Sequence, residues 1–240
     1  MIDIHSHIIH GVDDGPSSID ESLRMLEKAE NAGVKMIIAT PHLHEPLFAA
    51  SQIAENYQEL QRRSKDFNVS IKMGYEVFIR PFTEELGKKL DDLVLGTSRY
   101  VLMELPFESI PIYSFDYIFK HQITGKQIII SHPERYRGFL KDINTCLTFL
   151  EKGCLMQLDA ASITGVYGRR VKEFAKQMIK LRLVHFVASN AHTAEDYSKR
   201  YTKAYRKVVK WAGEEYSDKL FFRNAKAILD NAQDCIYAMI

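Results

Sequence analysis

The chain opens Met1-Ile-Asp-Ile-His5-Ser-His7, and Asp13-Asp14-Gly15 follows a few residues on. The apolar-leaning run at 2–4 predicts a short strand ending in two histidines spaced H-x-H. Side chains alternate faces along a strand, so His5 and His7 are expected to present two imidazoles to one point. That is the geometry a metal asks of nitrogen ligands. A motif this short also arises by chance, so its meaning rests on what accompanies it.

Working outward, strand-like and helix-like runs alternate along the whole chain. After the first strand, Ser17 or Ser18 caps a helix carrying Leu23, Met25, Leu26 and Ala29, and Gly33 stops it. Further strands are predicted at 34–40, broken by Pro41, at 69–77, and at 99–105, ended by Pro106. Three more follow at 126–131, 154–158 and 184–189. Helical patterns fill the spaces between them, and 195–211 and 224–231 are helical in pattern at the end. This makes about seven strand–helix units in a single domain, 1–240, with no internal repeat or linker. Short buried strands alternating with helices argue for a parallel sheet closed, or nearly closed, into a barrel. The runner-up is an open doubly wound sheet, although no Gly-rich phosphate-binding loop follows the first strand.

The polar residues fall into a pattern on that scaffold. His5, His7, His42, Glu76, Glu104, His132 and His192 lie at or just past the carboxyl ends of predicted strands, and Asp14 sits in the first loop. In a parallel barrel those ends converge on one face, where active sites are built. Clustered carboxylates repel and clustered imidazoles lose solvation, and divalent cations relieve both. Mixed nitrogen and oxygen ligands suit zinc, manganese or iron better than calcium. Arg135, three residues past His132, is the candidate for pairing with a phosphate. Glu134 and Asp13 neighbour ligands without an independent role, His44 is read as a loop residue, and His121 and His185 as structural.

Composition narrows the field. A chain of 240 residues, 46% hydrophobic and 26% charged, has the makeup of an ordinary globule with a sizeable core. A net charge of +1 supplies no field for nucleic acid or anionic membrane. No targeting segment or membrane span is visible, so a cytoplasmic location is expected. Cys146, Cys154 and Cys235 lack metal-type spacing and fit a reducing compartment. No cysteine stands in a C-x5-R loop, which argues against thiolate phosphatase chemistry.

The stretches Met1–His7, Asp13-Asp-Gly15, Ala39-Thr-Pro-His42, Gly74-Tyr-Glu76, Leu102-Met-Glu-Leu-Pro106, Ser131-His-Pro-Glu-Arg135 and His185-Phe-Val-Ala-Ser-Asn-Ala-His192 carry a family resemblance. Together they resemble the PHP (polymerase and histidinol phosphatase) superfamily. Within it, the chain looks like the bacterial metal-dependent tyrosine phosphatases of capsule and exopolysaccharide synthesis. The resemblance implies a distorted (β/α)7, TIM-like barrel holding up to three divalent metals, manganese first, with iron, zinc or magnesium as alternatives. By that analogy His5, His7, Glu76 and position 190 serve one metal. Glu76 bridges to a second, also held by Glu104 and His132, while Asp14, His42 and His192 take the third. The implied chemistry is hydrolysis of phosphotyrosine by a metal-activated hydroxide. The implied partner is a phosphotyrosine protein, namely the tyrosine-rich tail of a membrane-associated bacterial tyrosine kinase.

Two departures bear on this. The family pattern expects Asp at 190, where this chain has Asn190. An amide oxygen is a weaker ligand than a carboxylate, so a slow enzyme with a weakened His5–His7 metal is expected. The family also places an arginine downstream of the last motif, and Arg200 matches that position approximately. Two other readings therefore stand beside the first: a histidinol-phosphatase-like small-molecule phosphoesterase, and a catalytically impaired metal-binding regulator.

Overall fold

The structure, a computed structural model, describes residues 1–43, 50–79 and 93–230. His44 and Cys235 lie outside the described residues. Strand β1 (Ile2–Ser6) pairs with β2 (Met36–Ala39), and β2 pairs with β4 (Ser70–Met73). A second ladder runs in order through β3 (His42–Leu43), β5 (Glu76–Phe78), β6 (Tyr100–Glu104), β7 (Gln127–Ser131), β8 (Leu155–Asp159) and β9 (Phe186–Ala188). Every pair is parallel.

β2 and β3 are halves of one strand interrupted at Thr40-Pro41, and β4 and β5 are halves of another interrupted at Gly74-Tyr75. Seen this way, the strands follow one another around the sheet in chain order. A parallel bridge between Ser6 and Ala191 joins the first to the last. The His7 N–H donates to the Ala191 carbonyl at 2.9 Å, and the Asn190 N–H donates to that of His5 at 2.9 Å. The result is the distorted seven-stranded barrel expected from sequence, and the open-sheet alternative is excluded by the closing bridge.

The breaks have local causes. Pro41 has no N–H for the ladder. At Gly74 a Cβ would stand 2.9 Å from Ile38 Cγ2 and 3.0 Å from Leu95 Cδ2, so only a bare backbone passes. The single strand expected at 69–77 is observed as two, and the second opens with Glu76, in register with Leu102.

Burial follows the strand alternation. Ile2, Ile4, Ile38, Tyr100, Leu102, Ile129, Leu155 and Phe186 form one apolar cluster with Ala225, Ile228 and Leu229 of the helix Asn224–Leu229. Their strand neighbours Ile37, Val101, Met103, Ile128, Ile130, Met156 and Val187 pack into the larger cluster with the surrounding helices. Each such side chain contributes roughly 1.5–3 kcal/mol of burial. The first helix, Ile19–Asn31, is capped by Ser18, whose Oγ accepts the Glu21 N–H at 3.3 Å. The segment after His192 is a π-helical turn, Asp196–Tyr201, before it becomes the α-helix Thr202–Ala212. Such turns recur at functional sites. This one places Asp196 and Arg200 on the cleft described next.

Candidate active site

The carboxyl ends of the strands surround a cleft of about 740 Å³, lined in part by Asp14, His42, Glu76, Glu104, His132, Asn190 and His192. His5 and His7 lie beneath it, fully buried. A register shift between Asp3 and Ser6 interrupts the simple alternation of β1. The two imidazoles still converge, with Nε2 atoms 3.2 Å apart.

Each of these rings is anchored from behind. His5 Nδ1 donates to Gln157 Oε1 at 2.9 Å, and His7 Nδ1 donates to Asp13 Oδ2 at 2.7 Å. His192 Nδ1 donates to the Asn190 carbonyl at 3.0 Å. A neutral histidine whose Nδ1–H is committed in this way has its Nε2 lone pair free for a metal. Asp13 also accepts from the backbone N–H groups of Gly15 and His42, so it ties the first loop to β3.

Glu76 is the centre of the cluster. Its Oε2 lies 3.3 Å from His5 Nε2, 3.5 Å from His7 Nε2 and 3.1 Å from His42 Nδ1. Its Oε1 lies 3.0 Å from His132 Nε2, which is also 3.7 Å from Glu104 Oε1. Asp14 Oδ1 stands 3.2 Å from His192 Nε2 and 3.6 Å from His42 Nε2. Ligand-type atoms gather within 4.8 Å of one another in three sets. These are His5, His7 and Glu76; His42, Glu76 and Glu104; and His7, Asp14, His42 and His192. The sets overlap the grouping implied by the resemblance, with His42 drawn toward Glu76 and Glu104 as well, and His7 toward Asp14.

The charges of the protein alone do not balance here. Burial, reinforced by Glu76, pushes the Glu104 carboxyl up to about 9. Burial and then the charge of His7 push His42 down to about 4. Burial opposes the charge on Glu76, yet His5 and the hydrogen bond from His132 hold it well below the usual carboxylate range. Glu76 Oε2 and Asn190 Oδ1 are buried without a hydrogen-bond donor. Nitrogen and oxygen atoms this close, some of them orphaned, fit divalent cations of the zinc, manganese or iron type. His132 and Asn190 also hold left-handed backbone, with φ of 32° and 46°. Strain of about 1–3 kcal/mol at such positions collects at functional sites.

The cleft wall carries the candidate phosphate contacts. Arg135 Nη1 donates to Asp159 Oδ2 at 3.2 Å, and its guanidinium lies 4.8 Å from the Phe107 ring centroid and 4.4 Å from that of Tyr167. Arg200 pairs with Asp196, which also accepts from the backbone of His192 and Thr193. Phe107 and Tyr167 beside Arg135, and Gln157 behind His5, have no signal in the sequence. They carry no motif, and only the fold brings them to the cluster. Glu134, expected to lack a role of its own, is fully buried and accepts the Asp159 N–H at 2.8 Å. His121 and His185 are buried away from the cleft lining, in keeping with structural roles.

A closed parallel barrel with a histidine–carboxylate cluster at its strand ends defines a class of barrel protein with its site on that face, here lined by groups that could hold divalent cations. More narrowly, the chain belongs to the family described as capsular polysaccharide synthesis, CpsB/CapC, which matches residues 1–230. It is 31% identical over 235 residues to the tyrosine-protein phosphatase YwqE of Bacillus subtilis, covering 96% of this chain and 92% of that one. A solved structure described among those of YwqE from Bacillus subtilis and CpsB from Streptococcus pneumoniae, metal-dependent tyrosine phosphatases, is matched with a TM-score of 0.89 and 31% identity. That match covers 96% of this chain and 95% of the other. A histidinol phosphate phosphatase from Lactococcus lactis shares the fold at a TM-score of 0.57 and 14% identity, covering 92% of this chain and 94% of that one.

Proposed function

We propose that this chain is a metal-dependent protein-tyrosine phosphatase of capsule or exopolysaccharide synthesis. The observation that carries the reading is the convergence of His5 and His7 Nε2 on Glu76, with both Nδ1 atoms committed elsewhere. In this reading His5, His7 and Glu76 hold one cation with Asn190. Glu76, Glu104 and His132 hold a second, and Asp14, His42 and His192 a third. Manganese is the proposed metal. Bound cations would activate water and neutralise the phosphoryl oxygens.

The chain's own residues do the rest. Arg135, held by Asp159 and flanked by Phe107 and Tyr167, offers a guanidinium fork to the phosphate. The exposed faces of Phe107 and Tyr167 give an aromatic substrate ring a surface to lie against. Asp14 and Glu195 are exposed at the margin of the cleft, which suits a substrate presented on a flexible polypeptide. The proposed substrate is therefore the tyrosine-rich tail of a membrane-associated bacterial tyrosine kinase, met from the cytoplasm. Among the described residues no helix is long and apolar enough to cross a membrane.

The test is turnover of a phosphotyrosine peptide against histidinol phosphate with manganese supplied. Preference for the peptide supports the reading. Preference for histidinol phosphate would replace it with the small-molecule alternative.

A further inference from the structure

Asp159 ends β8 and is fully buried directly behind Asn190. Its Oδ2 accepts the Asn190 amide, Nδ2, at 3.0 Å and Arg135 Nη1 at 3.2 Å. Its Oδ1 accepts Gln157 Nε2 at 3.1 Å, and Gln157 in turn holds His5 Nδ1 at 2.9 Å. One carboxylate therefore positions an amide, a guanidinium and, through Gln157, a histidine of the cluster. Three donors directed at it favour its ionised form.

The contact also decides which way Asn190 faces. The opposite amide orientation would set Oδ1 against Asp159 Oδ2, oxygen to oxygen, with no proton between them. The amide NH₂ must therefore point at Asp159, which turns Oδ1 away from it. That oxygen is buried without a donor, in a residue lining the cleft. A buried orphan acceptor costs about 1–3 kcal/mol unless something takes it. A cation shared with His5 and His7 would do so.

We propose that Asp159 and Asn190 divide the task of one ligand carboxylate between them: Asn190 supplies the oxygen and Asp159 supplies the charge and fixes the orientation. The charge of Asp159 then joins those of the ligand-type carboxylates Asp14, Glu76 and Glu104, and position 190 is a working ligand and not a lesion. Asp159 is a positioning residue in this scheme, because it reaches the cation only through Asn190 and Gln157. The inference rests on the metal-site reading above. It adds that the negative charge expected at 190 has moved one strand over, to 159.

The test is a charge transposition in the full chain, read first by Mn²⁺ affinity. Asp159→Asn keeps the shape and removes the charge, and should weaken Mn²⁺ binding by at least about tenfold, the usual scale for a lost supporting partner. Asn190→Asp alone sets two carboxylates about 3 Å apart without a donor between them. It should lower the melting temperature of the metal-free protein and should not raise phosphotyrosine turnover tenfold. The double variant Asp159→Asn/Asn190→Asp restores one donor and one charge, and should return the melting temperature toward its starting value and the Mn²⁺ affinity to within about threefold of its own. A double variant no better than Asp159→Asn overturns the pairing, as does a tenfold gain from Asn190→Asp alone. If the unaltered protein binds no Mn²⁺, the metal-site reading itself fails and the pairing falls with it. Binding by the unaltered protein without rescue in the double variant removes the pairing alone.

Discussion

Glu76 Oε2 lies 3.3 Å from His5 Nε2, across the deepest part of the cluster, and both residues are buried. The same oxygen faces His7 and His42, so one carboxylate answers three imidazoles. Glu76→Gln keeps the shape and removes the charge. It should cost at least one bound Mn²⁺ per chain, measured by elemental analysis after reloading. A full complement in the variant would show that Glu76 is not a shared ligand.

Arg135 lines the cleft beside the cluster, is proposed to meet the phosphate, and is not among the grouped ligand atoms. Arg135→Ala should lower turnover by at least about tenfold, the scale of one charged hydrogen bond of roughly 1.5–3 kcal/mol. Metal content should not change. Equal kinetics on a phosphotyrosine peptide would remove Arg135 from the site.

Tyr167 is 41% exposed, and its ring centroid lies 4.4 Å from the Arg135 guanidinium, which also meets Phe107. If it receives the substrate ring, Tyr167→Ala should raise KM for a phosphotyrosine peptide about fivefold, from roughly 1 kcal/mol of lost aromatic contact. The preference for phosphotyrosine over phosphoserine peptide should narrow with it. A uniform loss on both peptides would point instead to a disturbed Arg135.

His185 supplies a pH test away from the ligands. Its Nδ1 accepts the Met156 N–H at 3.1 Å, and burial pushes its pKa down to about 4. Between the unfolded value near 6.5 and about 4, the unfolded chain binds more protons than the folded one. Stability therefore rises with pH across that window, and roughly 3 kcal/mol is lost as pH falls through it. In His185→Gln, urea unfolding at pH 7 and pH 4 should differ by about that much less. An unchanged pH dependence would mean that His185 does not titrate as its burial requires.

The sequence revealed the barrel because seven apolar runs alternate with helical ones, and it revealed the cluster because the ligand-type residues sit where those runs end. The supporting residues were hidden for a physical reason. Asp3 bonds Ser189 and Tyr197 across the barrel seam, and His5 meets Gln157 far along the chain. Such partners are set by closure of the sheet and leave no local spacing to read. Asp13 looked like a spare neighbour of Asp14 until the fold placed it under His7. The close approach of Gly74 to Ile38 and Leu95 leaves no trace in periodicity, so the pattern at 69–77 predicts one continuous strand. Asn190 looked like a missing charge because the charge that faces it stands on another strand, at Asp159.

The proposed function requires that His5, His7, Asp14, His42, Glu76, Glu104, His132 and His192, with Asn190, hold the catalytic divalent ions. The most direct measurement is Mn²⁺ per chain after chelation and reloading, taken on the same sample as phosphotyrosine-peptide turnover. The account predicts more than one ion per chain, with turnover abolished by chelation and recovered as Mn²⁺ returns. One ion or none, or turnover indifferent to the chelator, would contradict it.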